Sequence, residues 1–250
     1  TNTGTYVAWQ WKANGAGSSN EDGSINTTAT SANTTAGFSV STFTGTGANA
    51  TVGHGLGIAP SLVIIKNTAT TNSWTVGSTL FANTKYLVLN STDAPVTGTA
   101  WNSAYPTSSV INLGDSAGSN GSGTNNMICY AFAEVPGYSS FGSYTGNGST
   151  DGVFVYTGFT PAFIMYKVTS TTDSWEMYDT KRRTFNPYGT QLKANLSNAE
   201  TDDTRIDILS NGFKARSTNT AVNGSGATYI YMAFAENPFG GDGVAPATAR

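Results

Sequence analysis

The feature that most constrains the fold of this chain is an internal duplication. Residues 44–47 (Thr-Gly-Thr-Gly) are matched 101 positions later by residues 145–148 (Thr-Gly-Asn-Gly). The same spacing relates four further pairs, which are Gly57 and Gly158, Pro60 and Pro161, Lys66 and Lys167, and Trp74 and Trp175. Toward the end of each copy the spacing becomes 102, because Ala-Phe-Ala-Glu at 131–134 recurs at 233–236. These ordered matches, with drift confined to loops, predict two copies of one module.

The duplication divides the chain into five segments. Residues 37–136 and 137–239 are predicted to be the two complete β modules. Residues 5–11 resemble the strand that closes the second copy, so residues 1–12 are interpreted as the closing strand of a preceding module in a longer repetitive protein. Residues 13–36 are rich in Gly, Ser, Asn and Thr, which predicts a low-complexity linker or loop. Residues 240–250 are expected to form an extended C-terminal tail.

Composition indicates an all-β fold. Only 11% of the residues are charged, and the abundance of Gly, Ser, Thr and Asn disfavours long helices. Short apolar runs bounded by Gly, Pro, Asn or Ser predict strands, and residues 152–156 form one of them. Residues 62–65 are apolar throughout, which indicates a strand that is covered on both faces. We therefore predict two tandem antiparallel β-sandwich-like modules with an extra N-terminal strand.

The reactive side chains argue against catalysis. One His and one Cys cannot build a zinc site. His54 lies in a glycine-rich turn and aligns with Val155 in the second copy, so we interpret it as a residue that orders the turn, and Cys129 as a small buried hydrophobe. Glu134 and Glu236 follow equivalent strands, which favours a shared structural role over a glycosidase pair. The sequence predicts no enzyme activity, no catalytic residue and no cofactor.

Charge and hydropathy narrow the possible partners. The net charge is −3 and the densest basic run is only residues 181–183, so no nucleic-acid partner is expected. No apolar stretch reaches the roughly 18 residues that a membrane span requires, so no membrane insertion is expected. Acidic residues at positions 200, 202, 203 and 207 leave a calcium site open, with a solvated loop as the favoured interpretation.

Aromatic residues that do not recur between the copies are the remaining candidates for binding. They are Trp101, Tyr105, Tyr178, Phe185 and Tyr188. Sugars stack on exposed aromatic faces, so these side chains are candidates for contact with a glycan or a host surface. The alternative is that they pack beneath long loops.

Three stretches of the sequence resemble a module that recurs in tail-fibre and other structural proteins of marine bacteriophages. The first is Val-Gly-His-Gly-Leu-Gly-Ile-Ala-Pro at 52–60, followed by an apolar strand that ends at Lys66. The second is residues 138–152, and the third is residues 233–241 with the tail that follows. One departure is that the second copy lacks the His-Gly-Leu-Gly turn. The resemblance implies a virion-associated structural role and, by analogy with such fibres, a homo-oligomer that we take to be a trimer.

The leading hypothesis is therefore a structural component of a viral fibre or tail appendage, located in the virion and able to contact the host surface. A carbohydrate-binding module is the first alternative. A decoration protein of a capsid or of a bacterial surface, which would be extracellular or at the cell surface, is the second. An enzyme that acts on polysaccharide is the least favoured reading.

Overall fold

A computed structural model describes residues 4–123 and 125–236 of the chain, and it confirms the all-β fold class. The strands of the first copy are β1 (Ala29–Asn33), β2 (Phe38–Thr44), β3 (Ala50–Gly53), β4 (Leu62–Asn67), β5 (Thr75–Ser78), β6 (Lys85–Val88), β7 (Val96–Thr97), β8 (Val110–Leu113) and β9 (Asn126–Phe132). Those of the second copy are β10 (Ser139–Thr145), β11 (Phe154–Tyr156), β12 (Pro161–Val168), β13 (Glu176–Asp179), β14 (Tyr188–Lys193), β15 (Thr201–Leu209), β16 (Gly212–Ala215) and β17 (Thr228–Ala235). Each copy also has a single-turn helix, α1 (Ala117–Asn120) or α2 (Thr220–Asn223).

Each copy is built around one antiparallel sheet. The first copy together with β1, hereafter module 1, has seven strands in the order β1-β2-β9-β4-β5-β6-β7, and β3 pairs separately with β8. The second copy, module 2, has eight strands in the order β10-β17-β12-β13-β14-β15-β16-β11. The strands β11 and β16 are the counterparts of β3 and β8, because Val155 pairs with Phe213 as Val52 pairs with Ile111.

The two sheets pack against each other through a shared apolar layer, which we call the interface core. In β4, Val63 and Ile65 face the core of module 1, whereas Leu62 and Ile64 face the interface core. This alternation confirms the prediction of a strand covered on both faces. The strands β9, β12 and β17 alternate in the same way, so each module buries both faces of its central strands.

The N-terminal segment differs from its prediction. The structure has no strand over residues 4–12. Two tryptophans of this segment contact the modules, and the indole Nε1 of Trp9 donates to Asp179 at 3.2 Å. The Trp11 ring meets Phe132, Phe163 and Phe234 edge to face, with centroids 5.4–5.9 Å apart. Trp11 therefore contacts both modules at the edge of the interface core.

The predicted linker at 13–36 is largely ordered by module 1. It contains β1, which pairs with β2 along its full length, from Ala29 opposite Thr42 to Asn33 opposite Phe38. A run of Ala, Thr, Ser and Asn carries little apolar signal, so its strand depends on the edge of β2 that it covers. The predicted tail at 240–250 lies outside the described residues.

A pair of buried asparagines explains why the Thr-Gly-x-Gly motif recurs. Asn120 ends α1 and is fully buried, and its Oδ1 accepts a hydrogen bond from the amide of Thr46 at 2.8 Å. Its Nδ2 donates to the carbonyl oxygens of Ala48 (2.6 Å) and Gly114 (3.1 Å). The side chain thus replaces the backbone partners that this glycine-rich loop lacks.

Asn223 of module 2 is equally buried and repeats the arrangement. Its Oδ1 accepts from the amide of Asn147 at 2.9 Å, and its Nδ2 donates to the carbonyl of Ser149 at 2.7 Å. We call Asn120 and Asn223 the loop-locking asparagines. Both stand directly before a Gly-Ser-Gly run that the duplication made visible.

Candidate functional site

The structure does not gather the five predicted contact aromatics into one patch. Trp101, Tyr178 and Tyr188 are buried. Trp101 packs over Gly77, where an added Cβ would lie 2.6 Å from the indole ring, and Tyr178 and Tyr188 belong to the core of module 2. These three side chains have the packing role that the sequence left as the alternative.

The other two predicted aromatics are exposed, but they lie in loops of different modules. Tyr105 is 43% exposed and its hydroxyl donates to the carbonyl of Phe81 at 3.1 Å. Phe185 is 64% exposed, and the guanidinium of Arg183 lies 4.6 Å from its ring centroid. Tyr105 is therefore held by the loop between β5 and β6, and Phe185 by an arginine of its own loop.

An unpredicted pair of exposed aromatics lies on β11. Phe154 and Tyr156 are 46% and 57% exposed, whereas Val155 between them is buried in the core of module 2. Alternate residues of a strand point to opposite faces, so both rings stand on the outer face of the sheet. Strand geometry separates their Cα atoms by about 7 Å.

Neighbouring strands complete this outer face. Lys214 of β16 lies opposite Phe154, and Asp207 of β15 lies opposite Lys214. Cross-strand partners share a face, so one aromatic, one cation and one carboxylate form a row. In the next row Gly212 lies opposite Tyr156 and Leu209 lies opposite Gly212. We call this outer face of β11, β16 and β15 the aromatic face.

The charges beside the aromatic rings are paired. The Lys214 ammonium contacts Asp151 at 2.5 Å, and the Arg216 guanidinium contacts Asp207 at 3.0 Å. The hydrogen bond and charge of Lys214 hold the pKa of Asp151 below its usual value. An open cleft of about 450 Å³ borders these groups, and it is lined by Thr150, Asp151, Pro187, Thr204, Asp207 and Arg216. The face therefore offers hydrogen-bond donors and acceptors with no net charge among these four groups.

In module 1 the equivalent face is covered by residues 20–25 of the predicted linker. Ile25 donates its amide to the carbonyl of Thr51 at 2.9 Å, and the amide of Ser24 donates to the Thr51 hydroxyl at 2.8 Å. Asn20 fills the space above Gly53, where an added Cβ would lie 1.5 Å from its Oδ1. Thr51 and Gly53 are the register counterparts of Phe154 and Tyr156.

The structure corrects the alignment of the His54 turn. Backbone pairing places His54 opposite Ser109 and Thr157 opposite Asn211, so Thr157 is the counterpart of His54 and Val155 is not. The following residues, Leu56 and Phe159, both enter the core of their module. The turn is therefore present in both copies, although its sequence differs.

His54 holds this turn through both ring nitrogens. It is fully buried, its Nδ1 accepts from the amide of Leu56 at 3.3 Å, and its Nε2 lies 3.2 Å from the carbonyl of Thr107. Burial lowers the pKa of His54, with partial compensation from Thr107 and Asp22. Thr157 serves the second turn by donating its hydroxyl to the carbonyl of Phe159 at 2.8 Å.

The acidic candidates serve local structure. Glu134 accepts a hydrogen bond from the amide of Phe141 on the edge of β10 at 2.9 Å. In the acidic stretch Glu200 pairs with Arg182, and Asp202 and Asp203 pair with other arginines. Among the described residues, no three His, Cys, Asp or Glu side chains are grouped so that they could hold a metal ion.

A buried polar network distinguishes the interior of module 2. Glu176 is fully buried and accepts hydrogen bonds from the hydroxyls of Tyr166 (2.9 Å) and Tyr178 (2.8 Å). Burial raises the pKa of Glu176, while Arg205 and the two hydroxyls oppose the shift. Module 1 has Ile65 at the position of Tyr166. The abundance of tyrosine in the second copy is the sequence signal for this network, whose three side chains are fully buried.

Comparison with known proteins places the chain in a family. No helix among the described residues is long and apolar enough to cross a membrane. No curated protein and no solved structure matches the chain. A family model described as a domain of unknown function (DUF7483) matches residues 1–238, which include the N-terminal segment and nearly all of both modules. Because the match extends over almost the whole sequence, the chain belongs to the DUF7483 family.

Proposed function

We propose that this chain is a structural component of a bacteriophage fibre or tail appendage, located in the virion, and that module 2 contacts the host surface. The difference between the two copies carries the proposal. Residues 20–25 cover the outer face of module 1, whereas no equivalent segment among residues 4–123 and 125–236 covers that face of module 2, where Phe154 and Tyr156 are exposed. The proposal assigns no reaction to the chain.

Close packing of the two modules supports the structural part of the proposal. The interface core joins apolar side chains from both sheets, and polar contacts reinforce it. The indole Nε1 of Trp175 donates to the carbonyl of Val88 at 3.0 Å, and the amide of Asp173 donates to the carbonyl of Thr92 at 3.0 Å. A fibre that transmits force from a bound surface needs its repeats to be joined by contacts of this kind.

An apolar cleft supports assembly with further copies. Its volume is about 370 Å³, and Val40, Trp74, Leu89 and Tyr130 line it beside Trp11. These side chains are partly exposed, and Trp74 stacks on Tyr130 with centroids 6.3 Å apart. We assign this cleft to contact with a second copy in a homo-oligomer. The assignment of a trimer follows by analogy with the fibre proteins that the chain resembles.

Location and assembly test the proposal directly. Gold-labelled antibody against the chain, applied to virions from an infected culture, is expected to mark fibres or tail appendages in electron micrographs. Light scattering of the purified chain is expected to give a mass three times that of one chain. Label confined to bacterial envelopes, or a monomer at every concentration, would overturn the fibre assignment.

A carbohydrate-binding module outside any virion is the second candidate, and the aromatic face favours it as well. A decoration protein of a capsid or bacterial surface would use the same face. Immunolabelling separates these candidates, because they differ in where the chain is found and not in which residues bind.

A further inference from the structure

We infer that the aromatic face of module 2 binds a neutral oligosaccharide, with Phe154 and Tyr156 stacking on sugar rings. The inference rests on the proposed contact with a host surface and names the chemical class of the ligand. It concerns residues different from the five that the sequence singled out.

The two rings provide the apolar part of the site. A single exposed aromatic side chain is common on a protein surface and needs no functional explanation. Here Phe154 and Tyr156 lie on the same face of one strand, with 46% and 57% of their surface exposed. A sugar ring presents C–H groups on one face, and those groups pack on the π face of an aromatic ring. The separation of about 7 Å between the Cα atoms suits an extended chain of rings rather than one small ligand.

Gly212 keeps the floor beside the rings low. It lies opposite Tyr156, and an added Cβ would stand 2.0 Å from the carbonyl oxygen of Val155 and 3.1 Å from the Phe154 ring. A side chain is therefore excluded at this position. The absence of a side chain leaves room for the edge of the Phe154 ring at Gly212, with Leu209 opposite Gly212 on the next strand.

The charged groups select for a neutral ligand. Lys214 is neutralised by Asp151, and Arg216 by Asp207, so a charged glycan would have to displace an existing partner. Sugar hydroxyls both donate and accept, and they can bond to these carboxylates and cations without breaking either pair. Asp207 and Lys214 stand in the same row as Phe154, within reach of a ring stacked there.

Comparison with module 1 indicates that the aromatic face is specific to the second copy. Its counterparts of the two aromatics are Thr51 and Gly53, and Asn20 and Ser24 cover them. The shared module folds without aromatic residues at these two positions, because module 1 has Thr and Gly there. The exchange of a covered Thr and Gly for two exposed rings adds a binding surface.

Binding to a glycan array followed by calorimetry tests the inference on the full chain. The calorimetric probes are cellohexaose, mannohexaose and laminarihexaose, with an oligogalacturonate as the acidic comparison. We expect binding to a neutral probe that changes little with salt, since no ion pair is formed. Phe154→Ala and Tyr156→Ala are each expected to weaken binding at least about tenfold, as for central aromatic contacts elsewhere. Tyr156→Phe is expected to retain most of the affinity.

Matched controls are Tyr105→Ala and Phe185→Ala, which remove exposed aromatics outside the face and are expected to leave affinity unchanged. Thermal unfolding of every variant checks that the fold is kept. Absence of binding to every glycan, or binding that survives both β11 substitutions, overturns the inference. If the chain blocks phage adsorption through a host protein and binds no glycan, the inference fails and the proposed function stands. If it binds neutral glycan but does not label virions, the proposed function fails and the inference stands.

Discussion

The loop-locking asparagines allow a quantitative test of the duplicated architecture. Asn120 and Asn223 are both fully buried, and each satisfies one backbone amide and at least one backbone carbonyl of its Thr-Gly-x-Gly loop. Replacing either residue by Ala removes the partners of those backbone groups. The two asparagine side chains themselves are fully buried, so a water molecule does not take their place without entering the module.

The size of the effect follows from the groups left behind. In Asn120→Ala the amide of Thr46 and the carbonyls of Ala48 and Gly114 lose partners at 2.8, 2.6 and 3.1 Å. At about 1 kcal/mol for each hydrogen bond lost, the free energy of unfolding is expected to fall by about 3 kcal/mol. For a chain of this length, that loss lowers Tm by about 6–12 °C.

Urea unfolding followed by tryptophan fluorescence measures the loss in each variant. Asn223→Ala is expected to match Asn120→Ala, because the two side chains serve equivalent loops. Asn198→Ala, at an exposed position, serves as the control and should change the free energy by less than about 0.5 kcal/mol. A loss below about 1 kcal/mol in both buried variants would refute the reasoning from unpaired groups. A large loss in only one would refute the equivalence of the loops.

Three further predictions concern buried titratable groups. Burial lowers the pKa of His54 from 6.5, so the unfolded chain binds the proton more tightly and stability falls as the pH drops below that value. His54→Thr, which copies Thr157, should flatten this acid limb in urea titrations, and an unchanged limb would contradict the assignment. Burial raises the pKa of Glu176 from 4.5, so the folded chain binds the proton more tightly and stability falls as the pH rises through the range above 4.5. Glu176→Gln should remove that decline while keeping an acceptor for Tyr178, and a persistent decline would point to another group. Burial raises the pKa of Cys129 to about 12, so a disulfide reagent should label its thiol only after unfolding, and rapid labelling of the native chain would argue against a buried thiol.

Much of the fold was predictable from the duplication and from strand patterns. The apolar run at 62–65 correctly indicated a doubly covered strand, and residues 152–156 were correctly read as a strand that the structure has as β11. The strand at 29–33 was missed, because its small polar residues gain order only from pairing with β2. The opposite error occurred at 5–11, where aromatic residues suited to a strand pack by their rings instead.

The candidate site was harder to predict than the fold. Loop position does not decide whether an aromatic is exposed, and Trp101 and Tyr188 lie in or near loops but are buried. The aromatic alternation of Phe154 and Tyr156 was visible in the sequence. Whether those rings are exposed depends on whether another segment covers β11. In module 1 the equivalent strand is covered by a segment that lies 27 residues earlier in the chain, since Ile25 pairs with Val52. This coverage is a tertiary contact, which the sequence pattern of β11 alone does not reveal.

The interface core also determines how large a segment of this protein recombination between related genes can exchange without loss of packing. Leu62 and Ile64 of one module and Met232 and Phe234 of the other lie in the same layer, so separating the modules would expose apolar sheet faces on both. Recombination that swaps a single module must therefore bring a matching apolar face with it. Exchange of the intact pair carries no such requirement, and we expect sequence mosaics in this family to break outside the two modules rather than between them.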